Sequence, residues 1–461
     1  MEVTAAGIVF LLIATSCLLL PLHRGLLVLL ASVPFGSSAV VNLPALGGAS
    51  VLFPQACLVF LVARFPLERE FLPRITAAIR QSISIQALIL FTVYAVASAY
   101  FLPRLFVDET LIYPLRTEAV SIAVPLQPTS TNLTQSLYMV GNVLGALAVF
   151  YIASYKAQLS TLRHGLFLLS AVHFGGGLLD LIDHSLAGGN ILQPIRTANY
   201  AWLTSTEVMG FKRITGLFPE ASSFAYFTSG ILFYSWGMYF LTSKKSYAFL
   251  LVVAVLFMLF STSSTAYVVF AFFGLFVLGC MASAAGNLPR SVLYSAAGVY
   301  AICLAALAAY LIDETAFDPY VRVIDQMVIG KQSSASGIER MTWNAQALSN
   351  FTDTYGIGIG LGSGRSSSWL FTLASNLGAV GFLLFGVFAG STMTSVWTHR
   401  AEAMQVAATF GMIGLMVAAT VSGSGVDLGL LFFVFAGAAL ARPVGRHGVA
   451  RGQIMRRPAL A

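Results

Sequence analysis

Long apolar runs recur from residue 4 to residue 441, separated by short clusters of polar and charged residues. A bilayer core about 30 Å thick needs roughly 20 apolar residues per helical span. On that measure the pattern predicts about thirteen spans, between twelve and fourteen. They cover 4–21, 25–41, 50–64, 82–102, 134–154, 165–184, 223–242, 247–262, 265–284, 292–312, 369–396, 405–422 and 426–441. The chain therefore reads as an all-α polytopic membrane protein, a single integral membrane domain over 1–461. The first run follows Met1-Glu2-Val3 with no basic region and no small-residue cleavage site before His23-Arg24, so a retained helix is expected.

Three polar segments between the spans are long, 103–133, 185–222 and 313–368, and most others are short. Positive loop residues stay on the cytoplasmic side. Placing the N-terminus outside puts 16 of the 25 Lys and Arg inside, with only Glu68, Glu70 and Glu402 among the 18 acids. The basic residues gather in the Arg64-to-Arg80 connection and in a cytoplasmic tail over 442–461, and all three long segments then face outward. In the third, Ile338, Met341, Ala345 and Leu348 recur at helical steps, predicting an amphipathic helix of about three turns on the membrane surface. Gly356, Gly358, Gly360, Gly362 and Gly364 follow at every second position, before Arg365 and a serine run able to cap the next helix. Such a loop can bring backbone N–H groups close to a ligand.

Composition supports the same class. Charged residues make up 9% of the chain, against about 25% in a soluble domain, and the mean hydropathy is +0.83. The net charge of +7 suits topology and anionic membrane lipid, while nucleic acid binding would need a folded basic domain that the pattern lacks. Cys17, Cys57, Cys280 and Cys303 all fall inside predicted helices, at no metal-site spacing, and read as packing residues. No nucleotide-binding fold interrupts the helices, so chemistry must use the external segments and helix ends.

Three places there carry candidate residues. Lys212-Arg213-Ile214-Thr215-Gly216-Leu217-Phe218-Pro219-Glu220 enters the seventh span from outside. Glu220 either takes a proton from a hydroxyl or simply complements the helix dipole. Glu339 and Arg340, with Trp343 and Asn344, stand on the surface helix, and with Arg365 they supply two guanidinium groups able to hold a diphosphate. The alternative is an interfacial Arg on lipid headgroups. In the sixth span His173, Asp180 and His184 share a face with Asp183 a turn away, forming a structural hydrogen-bond network or a polar cavity. Metal binding there is not expected, because His173 and His184 lie about three turns apart.

The segment Arg213-Ile214-Thr215-Gly216-Leu217-Phe218-Pro219-Glu220-Ala221-Ser222, the segment Glu339-Arg340-Met341-Thr342-Trp343-Asn344 and the run from Tyr355 to Ser363 together resemble the Wzy-type polysaccharide polymerases and the related O-antigen ligases. The resemblance spans about residues 196–395. It implies a GT-C type fold in the bacterial inner membrane whose periplasmic face transfers an oligosaccharide from undecaprenyl diphosphate to a sugar hydroxyl. No cofactor or metal is implied. The substrate is the lipid-linked oligosaccharide, and flippase and chain-length regulator proteins are implied as partners beside membrane lipids. Carried over, Arg213 and Arg340 with Arg196, Arg365 and Lys212 would hold the diphosphate, assisted by Glu339, Asn344, Gly358, Gly360 and Gly362, and Glu220 would be the base. Ligases usually offer a histidine after the glycine loop, where this chain has Arg365-Ser366-Ser367-Ser368-Trp369. Polymerase is therefore preferred over the alternative of a ligase acting on lipid A core. A flippase for the same lipid, coupled through Asp180 and Asp183, is a further alternative, but paired inverted halves are not seen.

Overall fold

The computed structural model describes residues 1–44, 48–115, 122–155, 158–188, 191–200, 203–208, 211–283, 330, 334–398 and 401–441. The expected span 292–312, Cys303, most of 313–333 and the basic tail 442–461 lie outside the described residues. Within them the chain is mostly helical. The helices are α1 (Ala5–Leu19), α2 (Leu22–Ser32), α3 (Phe53–Ala63), α4 (Phe71–Gln81), α5 (Ile83–Leu105), α6 (Ser130–Ala153) and α7 (Leu159–Ala187), followed by α8 (Ala221–Thr242), α9 (Lys245–Phe260), α10 (Ser264–Ser283), α11 (Ala335–Asp353), α12 (Trp369–Thr398), α13 (Ala403–Ser422) and α14 (Gly429–Leu440).

Among the described residues, six helices are long and apolar enough to cross a membrane: α5, α6, α7, α10, α12 and α13. Shorter apolar helices, α1, α2, α3, α9 and α14, pack among them. Leu12, Leu90, Leu275 and Leu383 are each more than half exposed on the outside of the bundle. An apolar exterior around an apolar interior is what a lipid solvent selects, since helices satisfy their own backbone groups there. The chain is a multi-pass membrane protein by these criteria. At its centre α8 is buried along nearly its whole length, packed between α9, α10 and α13, while α6 lies on α14 and α5 on α12.

Four departures from the expected spans have physical causes. The span expected over 25–41 is helical only to Ser32, because Pro34 and Gly36 interrupt it. Val40 and Val41 then enter β1 (Ala39–Leu43), antiparallel to β2 (Ala49–Leu52). The basic connection after α3 folds as α4, which buries Phe71 and Ile75 and stacks Arg74 on the Tyr155 ring at 4.0 Å. The long span 369–396 is broken at Gly378, whose φ of 62° is non-helical. The last expected span starts late, at Gly429, leaving Asp427 in the turn after α13.

The surface helix is also longer than expected. α11 runs over 19 residues from a Ser334 cap, whose hydroxyl accepts the Gly337 N–H at 3.1 Å. Its buried face is Trp343, Ala347 and Asn350, whereas Ile338, Met341 and Leu348 are exposed. The apolar stripe read from the sequence therefore points away from the protein.

Two further short hairpins, β3 (Leu111–Ile112) with β4 (Val124–Pro125) and β5 (Glu207–Val208) with β6 (Phe211–Lys212), lie in the long segments.

Candidate active site

The segment between α7 and α8 is anchored from below by one carboxylate. Asp180, near the end of α7, accepts the backbone N–H of Thr215 at 2.8 Å and of Gly216 at 3.1 Å, and the Thr215 hydroxyl at 3.0 Å. Arg196 reaches its other oxygen at 2.6 Å, and Lys212 approaches at 3.5 Å. Arg196 also donates to the Gly216 carbonyl, and Lys212 to the carbonyls of Thr204 and Arg213. Burial pushes the Lys212 ammonium below its ordinary value and Asp180 pulls it back. Both cations are thus buried against Asp180, with only the Arg196 Nε left without an acceptor among the described residues. A buried carboxylate with this many donors holds a chain in place, and removing one partner leaves an uncompensated charge.

The rest of the sixth-span cluster is likewise dispersed. Asp183 caps the turn after α7 by accepting the N–H groups of Ile191 and Leu192 at 2.8 and 2.9 Å. His184 pairs with Glu207 at 3.1 Å on a half-exposed surface. His173 is buried, stacked on Phe224 with Nε2 2.8 Å from the Thr228 hydroxyl. Each of the four is engaged by its own protein partner among the described residues.

Lys212 and Arg213 are neighbours, yet they diverge. Lys212 ends β6, and successive side chains leaving an extended segment point to opposite faces. Arg213 accordingly lies on the other side, within the field of Glu220 and Arg340. Burial lowers its guanidinium, Glu220 raises it and Arg340 lowers it again. Arg365 has the same surroundings: burial lowers it, Glu339 and Glu220 raise it, and Arg340 lowers it further. The structure thus brings Arg213, Glu220, Glu339, Arg340 and Arg365 into one electrostatic neighbourhood from three separate segments.

The Arg365 guanidinium lies 3.8 Å over the Trp343 ring, which fixes its plane. Its backbone N–H donates to the Tyr113 carbonyl at 2.9 Å. The Nε groups of Arg213 and Arg365 are buried and meet no acceptor among the described residues. Unpaired buried donors are costly, by about 1–3 kcal/mol each or more when charged, so this group is suited to an anion.

Glu220 is the N-cap residue of α8, one position earlier than the first turn. Its carboxylate makes no hydrogen bond to the helix backbone. It accepts instead from the hydroxyls of Ser222 at 2.5 Å and Ser223 at 3.4 Å. The acid is therefore not used as a cap. It borders a cavity of about 250 Å³ between the start of α8 and the turn joining α13 to α14.

Asp427 also lines this cavity, and the sequence pattern had hidden it. Gly429 N–H donates to Oδ1 at 2.9 Å and the Asn142 amide to Oδ2 at 2.6 Å. Burial pushes its carboxyl up to about 6, with those two donors opposing the rise. The available signal was an acid inside an apolar run, which is expensive without a role or partner.

The glycine loop does not form a ligand cradle. Gly358 N–H donates to the Thr354 hydroxyl, Ile359 N–H to the Ser375 carbonyl, Gly360 N–H to the Asn376 carbonyl and Leu361 N–H to the Ser98 hydroxyl. A Cβ on Gly360 would lie 2.7 Å from the Ser98 carbonyl oxygen, and one on Gly362 2.8 Å from that of Thr131. The alternating glycines, with positive φ at 356, 358, 360 and 362, let the strand run against the backbones of α5, α6 and α12. Asn344 is similarly engaged, its Oδ1 accepting the Ser367 N–H at 3.0 Å and fixing the start of α12 to α11. The loop therefore places Arg365 and does not itself present N–H groups to an anion.

Compared with known proteins, the chain matches no family model and no curated protein.

Proposed function

We propose that the protein is a lipid-linked glycosyltransferase of the Wzy polymerase type, with about thirteen spans in a GT-C arrangement, working at the periplasmic face of the bacterial inner membrane. The observation that carries this reading is the convergence of Arg213, Arg340 and Arg365 with Glu220 where α8 begins, with two buried guanidinium Nε groups unpaired. Glu220 takes the proton of the acceptor hydroxyl. The freed oxygen bonds to the anomeric carbon of the growing glycan, and the bond from that carbon to the phosphate oxygen breaks with its electron pair on undecaprenyl diphosphate. The arginines balance that developing charge, and preorganised donors of this kind supply about 10²–10³ in rate each. No nucleotide is required, because the phosphate ester provides the driving force.

Arg196 and Lys212 are left out of this set, since Asp180 holds both. The break at Gly378 is the kind of discontinuity that transporters use for ion sites. Its free groups are taken up by the protein, however: Ala379 N–H bonds to the Gly356 carbonyl and the Tyr94 hydroxyl to that of Leu377. That favours a structural joint over a coupling site.

Deletion in the native host tests the reading. Single repeat units on undecaprenyl diphosphate are expected to accumulate. Long chains on that lipid would instead identify a ligase, and an unchanged glycan profile would refute both.

A further inference from the structure

The cavity beside Glu220 differs in character from the arginine cluster, although one residue belongs to both. Its walls include Glu220, Ser222, Ser223, Ser424 and Asp427, and no Lys, Arg or His lines it. Arg213 and Arg365 lie in the field of Glu220 without lining the cavity. An anion entering the cavity would meet two carboxylates in its lining and no basic side chain there among the described residues, so the lining disfavours a diphosphate. A polyol is not: each carboxylate oxygen accepts two hydrogen bonds, and Asp427 has one described donor on each oxygen, Gly429 N–H and the Asn142 amide. Those contacts fix the carboxylate while leaving acceptor capacity toward the cavity. At about 250 Å³ the space is below the usual range for drug-sized ligands, which starts near about 300 Å³. It suits one sugar ring and not a lipid tail.

We infer that this cavity is the acceptor-sugar pocket, with Asp427 taking hydrogen bonds from the ring hydroxyls that flank the one presented to Glu220. The inference rests on the transfer reaction proposed above and adds a division of labour: a cationic half receives the leaving diphosphate, an acidic half receives the neutral acceptor, and Glu220 stands at their border. Asp427 is a binding residue in this scheme, since the proton passes to Glu220.

The test uses the full chain in lipid nanodiscs carrying Ser424→Cys, with alkylation of that position by iodoacetamide followed by mass spectrometry. The probes are methyl glycosides of glucose, galactose, mannose, rhamnose and N-acetylglucosamine, with inorganic pyrophosphate as the anion. At least one glycoside is expected to slow alkylation about fivefold at four times its dissociation constant, and pyrophosphate to leave the rate unchanged. Adding Asp427→Asn should abolish the protection, while farnesyl diphosphate binding, followed by tryptophan fluorescence, persists and shows an intact fold. Adding Arg340→Ala should do the reverse. Protection by pyrophosphate, by none of the glycosides, or equally in the Asp427→Asn variant overturns the pocket assignment. Absence of Arg340-dependent farnesyl diphosphate binding in the parent protein would instead overturn the reading on which it rests.

Discussion

Two acid and arginine groups meet at the neighbours Lys212 and Arg213, one belonging to each, and differ in character. Around Asp180, Arg196, Lys212, Thr215 and Gly216 converge on a buried carboxylate, which leaves only the Arg196 Nε among these described donors without an acceptor. Around Glu220, the guanidinium groups of Arg213 and Arg365 keep buried Nε donors without a partner among the described residues, and the carboxylate accepts from the hydroxyls of Ser222 and Ser223. In the first arrangement the terminal nitrogen of Arg196 and the Lys212 ammonium are already spent on protein acceptors. The second is incomplete, with three cations for two acids. The same residue types thus occur spent on protein partners in one group and less so in the other, and residue identity alone does not separate the cases.

Substitutions can break this contrast. The largest effect is expected in the open group, where Arg340→Ala and Glu220→Gln should each lower polymer formation by about a hundredfold or more, as loss of a preorganised charge does. Both proteins should remain in the membrane at normal levels. Full-length polymer from either variant, scored on gels of surface glycan, would remove the site. In the closed group, Arg196→Ala should act on stability, because breaking a buried pair costs about 3–5 kcal/mol. A lowered thermal midpoint and reduced membrane yield are expected. A variant that kept its midpoint and lost only activity would erase the distinction.

A smaller stability loss, about 1–3 kcal/mol, is expected for Gly360→Ala, where a side chain is forced into positive φ against Ser98. Proteolysis of the 354–365 segment would report it. The smallest effect is none: if arginines supply the positive charge, polymerisation by the purified protein should continue in excess EDTA. A requirement for added divalent cation would count against that assignment.

Much of the helical framework was legible because a lipid solvent writes length and hydropathy directly into each span. Arg213, Glu220, Arg340 and Arg365 were legible for a related reason: charges beside apolar runs are expensive enough to attract notice. What escaped depended on long-range partners. Nothing near Arg196 announces Asp180 as its acceptor, and the glycines after α11 look like a phosphate loop until the backbones of α5 and α6 are seen against them. The exposed stripe of α11 was read correctly as a stripe, but a periodic pattern does not say which face meets protein. Asp427 was absorbed into an apolar run because the break before Gly429 has no proline to mark it.

The outward stripe of α11 has a consequence for how the protein responds to its surroundings. Arg340 rides on a helix whose Ile338, Met341 and Leu348 are exposed, and an apolar stripe of this kind is one that acyl chains can cover. Changing acyl length or replacing the bilayer by a micelle should then alter turnover while melting behaviour stays constant, making the membrane itself a tuning element of the reaction.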